Sequence, residues 1–368
     1  MAVQERCATA EHGVPATLRS LLAWSGLIDE SGSESMRLAS AEGGQRSVLI
    51  VVDGLGWDQW QLMPTSLKER FIGAAIPTVS ASTTTAALTS CTTGVVPGVH
   101  GIVAGDMLVA GRRLNSIRWT VGGRGTPPDP LKVQSVAPFR GVQVPVVSPQ
   151  LYEGSGLTKA HLRGGRYLGW ESPYGLVERA RASLEQGASV VYCYYPYLDR
   201  TCHGFGVDSP QAAAERDQVA ALLERSLDQF PPRTAVYVTA DHGMVDIPPA
   251  GWLRCDDLAR SILHWTGEGR MRMLHVVPGS ARDMLAELER RFGATAWIWS
   301  RDDYVDGGWL GTSSPSAEAV ARLGDIILGA HLGYAFESPD SPYEPRMVAH
   351  HGSVTPEEML VPWVAGLT

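Results

Sequence analysis

Three apolar runs, each closed by an aspartate, constrain this chain more than any other feature. "VLIVVD" ends at Asp53, "VYVTAD" ends at Asp241, and "VVYCYY" is followed closely by Asp199. A run of β-branched and aromatic residues with no polar alternation is the pattern of a strand covered on both faces, as in a parallel sheet. "FIGAAIPTVS" predicts a further strand ended by Pro77, and the tail "HHGSVTPEEMLVPWVAG" predicts a last one. Helical segments lie between them: a short amphipathic one near Leu18–Leu27, one capped by Ser209, and one near Ala281–Phe292. Buried strands alternating with helices predict an α/β fold with a largely parallel central sheet.

Open α/β sheets bind ligands outside the carboxyl ends of their strands, so the three aspartates are expected to gather at one edge. Carboxylates collected there repel one another unless cations sit among them. Histidines accompany them. His203 follows Asp199 in "LDRTCH", His242 follows Asp241 in "DHG", and "HHG" brings His350 and His351. Asp and His donors without Cys suit zinc, manganese or a similar divalent ion. A pair of such ions can clamp the attacking and leaving oxygens of an in-line phosphoryl displacement. Each residue alone has an ordinary structural alternative, since a strand-end Asp caps turns and a loop His is commonly just satisfied. Their joint order carries the weight.

That order, "VVDGLG", "TTGVVPGVHG", "LDRTCHGFG", "VTADHGM" and "HHGSVTPEEMLVP", resembles the alkaline phosphatase superfamily and especially its type I phosphodiesterase/nucleotide pyrophosphatase branch. The motifs run from about Val48 to Pro362. The resemblance implies an alkaline-phosphatase-like three-layer sandwich. It also implies a nucleophile ten residues before the Gly of a T-G-x-x-P-x-x-H-G turn, and counting back from Gly94 gives Thr84. Ser80, Ser82, Thr83 and Thr85 crowd that position, so a slip in the count would change the assignment. Thr84 would open a helix, whose N-terminal N–H groups can hold a phosphate oxygen.

By the same resemblance, Asp53, Thr84, Asp241 and His242 take one metal, and Asp199, His203 and His351 take the other. His350 falls outside the set and His100 is structural. The implied activity is hydrolysis of phosphate esters, phosphodiesters or nucleotide pyrophosphates first, through a phosphothreonine on a two-metal centre with zinc expected and manganese as the alternative. Phosphomonoesterases and phosphomutases share this core. A non-catalytic phosphate binder would have no reason to keep clustered carboxylates. One departure stands out: the branch often carries Asn three residues after the nucleophile, where this chain has Ala87. Arg163 and Arg166 in "HLRGGRYLGW" are the expected substitutes, because Arg binds phosphate oxygens in a bidentate way; surface salt bridging is the alternative. Trp57, Trp60, Trp119 and Trp170 are candidates for stacking an organic group, or are simply buried.

Composition narrows the partners. A net charge of −8 over 368 residues disfavours a nucleic-acid polymer and leaves an anionic small-molecule phosphate ester as the expected substrate. Residues 105–170 hold nine Lys/Arg against three Asp/Glu, so the weakly periodic stretch 105–175 is expected to be a basic insertion acting as a lid. Residues 1–40 are expected to be a helix and linker, 41–368 the catalytic domain, and 250–335 a variable segment within it. Five Cys without a C-x-x-C pair predict free thiols in a reducing compartment. The first residues lack the pattern of a secretory signal and no long apolar run occurs, so the expected location is the cytoplasm, with no membrane partner. G-x-S-x-G and the sulfatase C-x-P-x-R pattern are both absent.

Overall fold

The computed structural model describes residues 12–368, apart from 33–35, 39–40, 42, 123–124 and 313. Its centre is a seven-stranded sheet. The strands are β1 (Arg46–Val52), β2 (Ile72–Pro77), β3 (Pro145–Pro149), β4 (Arg166–Trp170), β5 (Val190–Tyr195), β6 (Thr234–Thr239) and, last in the chain, Leu360–Leu367. The last strand lies between β2 and β6, and β1, β5, β3 and β4 follow beyond β6. It runs antiparallel to both neighbours, whereas β1, β3, β4, β5 and β6 pair in parallel. β5 and β6 are buried along their whole length, which explains their unbroken apolar sequence.

Helices flank this sheet as an α/β three-layer sandwich. Two of them, α1 (Val14–Trp24) and α2 (Thr84–Thr93), pack on each other. Later come α3 (Gly156–His161), α4 (Pro173–Glu185), α5 (Tyr197–Phe205), α6 (Pro210–Gln229, capped by Ser209) and α7 (Ala281–Phe292). α1 is more than the expected lead-in. Leu18, Leu21 and Leu22 are fully buried, and Thr17 Oγ1 lies 3.5 Å from Cys91 Sγ on α2.

The stretch 105–175 is not one insertion standing apart from the sheet. Residues 106–121 do form a small three-stranded sheet of their own, but Pro145–Pro149 and Arg166–Trp170 are β3 and β4 of the central sheet. Proline at both ends of β3 disguises it as a loop in the sequence. Residues 262–330 build a second, four-stranded antiparallel sheet from Ile262–Glu268, Met271–Val276, Ile326–Ala330 and Ala296–Ser300, with α7 packed beside its edge. Among the described residues no helix is long and apolar enough to cross a membrane. Cys91, Cys193, Cys202 and Cys255 are buried and in no disulfide; Cys7 lies outside the described residues.

Candidate active site

β1, β5 and β6 are neighbours in the sheet, so their carboxyl ends deliver Asp53, Asp199 and Asp241 to one place. The backbone then locks the three loops together. Gly54 takes a left-handed φ of 74°, and a Cβ there would meet Asp199 Cα at 2.9 Å; only glycine lets the two loops approach this closely. Gly54 N–H donates to Asp241 Oδ1 at 3.2 Å, and Asp199 N–H donates to the Asp53 carbonyl at 3.1 Å.

Asp53 and Asp241 are 3% and 0% exposed. One oxygen on each carboxylate, Asp53 Oδ1, Asp199 Oδ1 and Asp241 Oδ2, is buried without a hydrogen-bond partner among the described residues. Burial, then the charges of Asp241 and Asp199, pushes Asp53 well above the usual carboxylate range. Burial, then Asp199, pushes Asp241 up to about 7. Burial also raises Asp199, against the opposing effect of His203.

The histidines meet these oxygens with lone pairs. Nδ1 of His203 lies 2.7 Å from the Ala349 carbonyl, Nδ1 of His351 lies 2.9 Å from that of Ser82, and Nδ1 of His242 lies 3.2 Å from that of Gly243. A carbonyl only accepts, so each Nδ1 carries the proton and each Nε2 keeps its lone pair, which in His242 faces the Thr84 hydroxyl at 3.0 Å. His242 Nε2 sits 3.5 Å from both Asp53 Oδ1 and Asp241 Oδ2. Asp199 Oδ1 is 3.3 Å from His203 Nε2 and 3.8 Å from His351 Nε2. The rings of His242 and His351 stack 3.6 Å apart. Burial lowers His242 to about 3 and takes His351 well below its usual value, so both stay neutral. Lone pairs facing orphaned carboxylate oxygens in a buried place repel; a cation between them removes the conflict. Two such groups occur among the described residues, Asp53/Asp241/His242 and Asp199/His242/His351, and His203 borders the second through Asp199.

The hydroxyl run resolves to one residue. Between Ser80 and Thr93 every Ser and Thr is buried except Thr84. Most neighbours are spent on structure: Ser80 Oγ pairs with Tyr304 OH, Ser82 donates to the Ser353 carbonyl, Thr85 donates to the Ala104 carbonyl, and Thr89, Thr92 and Thr93 donate back along the helix, whereas Thr83 Oγ1 is buried without a partner among the described residues. Thr84 is the first residue of α2, and its Oγ1 lies 3.0 Å from His242 Nε2. It opens with Asp53, Asp199 and His203 onto a cavity of about 560 Å³.

The remaining expectations divide. His100 is structural: its Nδ1 accepts from Ile102 N–H at 3.1 Å and its Nε2 faces Ser90 Oγ at 2.8 Å. His350 packs its ring against Trp252 and stands in neither ligand group. Arg163 and Arg166 do not reach the cavity. The Arg163 guanidinium donates to the carbonyls of Ala160 and Val136, tying down the α3 turn, while Arg166 begins β4 away from the centre. Arg118 and Arg200 line the cavity instead. Ala87 is buried against Val79 and Ala86 and offers the site nothing. None of Trp57, Trp60, Trp119 and Trp170 lines the cavity; Trp119 Nε1 donates to the Pro128 carbonyl and Trp170 stacks on Tyr195. Sequence reasoning missed Tyr194, whose hydroxyl donates to Asp53 Oδ2. The one available signal was a tyrosine within an otherwise buried strand, since a buried phenol needs a partner.

Comparison with known proteins agrees with the fold. The model of the type I phosphodiesterase/nucleotide pyrophosphatase family matches residues 47–354. No curated protein gives a significant sequence match. Human ectonucleotide pyrophosphatase/phosphodiesterase 5 superposes with a TM-score of 0.67 at 16% identity, covering 88% of each chain. Its murine counterpart, solved as an inactive threonine-to-alanine variant in complex with AMP, gives 0.66 at 17% identity over 88% of each chain. Phosphonoacetate hydrolase from Sinorhizobium meliloti 1021, in complex with phosphonoformate, gives 0.65 at 17% identity over 88% of this chain and 90% of its own. At these identities the likeness is one of fold.

Proposed function

The chain belongs to the type I phosphodiesterase/nucleotide pyrophosphatase family and is a phosphoric ester hydrolase, and from that premise we propose that Thr84 attacks phosphorus in a diester or nucleotide pyrophosphate beside a pair of divalent cations. Asp53, Asp241, His242 and Thr84 would hold one cation, and Asp199, His203 and His351 the other. When bound, zinc or manganese at these positions supplies the positive charge that favours an ionised threonyl oxygen and offsets charge on the phosphoryl oxygens.

The chain's own residues do the rest. Thr84 Oγ1 forms the bond to phosphorus as the ester bond to the departing oxygen breaks, leaving phosphothreonine. Water then attacks the same phosphorus, releasing the phosphate monoester and returning a proton to Thr84 Oγ1. In the metal-free site His242 Nε2, 3.0 Å away, is placed to accept a hydrogen bond from the Thr84 hydroxyl; with cations bound, where Nε2 would be a ligand, the Thr84 proton would pass to solvent water. N–H groups at the start of α2 can hold a phosphoryl oxygen. The cavity's apolar wall of Leu88, Leu157, Leu162 and Met347 suits the organic half of a diester better than bare phosphate. An organic half of that kind is also carried by AMP, the ligand in the murine relative's structure.

One observation carries the proposal: Thr84 is the single unburied hydroxyl of its run, and it lines one cavity with Asp53 and Asp199. The test is hydrolysis of bis-p-nitrophenyl phosphate with and without chelator, with acid-quenched protein analysed for phosphate on Thr84. Chelator-sensitive turnover with modified Thr84 is expected. Turnover that survives Thr84→Ala contradicts it.

A further inference from the structure

His161 takes no part in the chemistry above, yet it lines the same cavity as Thr84 and Asp53. It ends α3 and is only 4% exposed. Its Nδ1 lies 2.7 Å from the Leu157 carbonyl, which can only accept, so the proton sits on Nδ1 and the lone pair on Nε2. Burial lowers its pKa to about 4, which keeps the ring neutral. Nε2 has no hydrogen-bond partner among the described residues. Leu88, Ile117, Leu157 and Leu162 supply the apolar part of the cavity that it lines, with Ser148, Ser155 and Arg118 among the polar part. An acceptor in such surroundings discriminates strongly, because a ligand without a donor leaves it unpaired.

We propose that His161 is a specificity-determining residue: its Nε2 accepts a hydrogen bond from an N–H or O–H on the organic half of the ester, so that the cavity favours esters of an apolar group bearing such a donor over simple aryl esters. The inference rests on the cavity being the ester-binding site. It concerns the wall built by α3, away from the phosphoryl centre.

The test uses the full, metal-loaded chain. Calorimetry compares AMP, which carries donors on base and ribose, with inorganic phosphate. Steady-state assays compare the p-nitrophenyl ester of thymidylate with bis-p-nitrophenyl phosphate. His161→Leu is expected to lower the AMP-to-phosphate affinity ratio about tenfold, and the ratio of kcat/KM for the two esters by a similar factor acting through KM. His161→Gln, which keeps an acceptor, should recover part of it. A change that strikes both ligands alike, or neither, overturns the proposal. Should His161→Leu fail to fold, the nitrogen resonance of His161 Nε2 in the unaltered protein decides: a shift with AMP but not with phosphate supports the proposal, and no shift overturns it. If phosphate itself does not bind and neither ester is cleaved, the cavity reading fails first; if bis-p-nitrophenyl phosphate is cleaved but His161 does not discriminate, only this inference fails.

Discussion

Chelating the protein should steepen the fall of its stability as pH rises from about 6.5 to about 8.5, and restoring a divalent ion should flatten it, leaving the share of Glu268, which burial raises to about 8. The sign follows from which state holds more protons. Asp53, Asp199 and Asp241 have raised values in the folded chain, so the folded state binds more protons than the unfolded one. Their contribution is present at low pH and is lost as pH climbs through the folded values. His242 and His351 are depressed, so their contribution is lost only as pH falls below the ordinary histidine value of about 6.5, outside this window. With Asp241 at about 7, its share of the loss across the window is about 1 kcal/mol. Asp53 and Asp199, raised by burial as well, act in the same direction. For a chain of 368 residues unfolding with roughly 2 cal/mol/K per residue, the Asp241 share alone is a Tm decrease of about 1 °C. Cations replace the protons, so the loaded protein should show a flatter curve at higher Tm. Thermal melts in chelator and in zinc or manganese, at three pH values, read this directly. A chelated protein whose Tm holds level or rises, or one whose slope ignores added metal, refutes the reasoning.

Thr84→Ala should cut turnover of bis-p-nitrophenyl phosphate by about a thousandfold or more, with AMP binding still detectable by calorimetry. His351→Gln should remove one cation per chain by elemental analysis, whereas His350→Gln should keep both, because His350 stands apart from the ligand groups. Glu358→Ala should destabilise the chain by about 3–5 kcal/mol in denaturant titrations. Both partners of the Arg270–Glu358 pair are fully buried, and Glu358 also accepts from Ser353 N–H and Thr355 Oγ1, holding the loop that follows His351.

Much of the centre was legible because a strand-end carboxylate needs only local sequence to be seen. Asp53, Asp199 and Asp241 each follow a buried run, and the sheet order brings β1, β5 and β6 together as parallel topology requires. Thr84 was reached by counting from Gly94; its exposure amid buried hydroxyls could come only from the fold. The substrate wall was hidden. Arg163 sits in a basic stretch, but its guanidinium is consumed by two backbone carbonyls, a fate no spacing announces. His161 and Arg118 meet in one cavity although more than forty positions separate them, because β3 and β4 fold into the sheet rather than into a separate lid. Proline at the ends of β3 and the short length of α3 erased the periodicity that would have shown this.

The most direct test is a crystal structure of the zinc- or manganese-loaded protein with anomalous scattering recorded at the metal edge. Two peaks are expected, one among Asp53, Thr84, Asp241 and His242 and the other among Asp199, His203 and His351. A single peak elsewhere, or well-ordered carboxylates with no peak between them, would contradict the two-cation centre and the role given to Thr84.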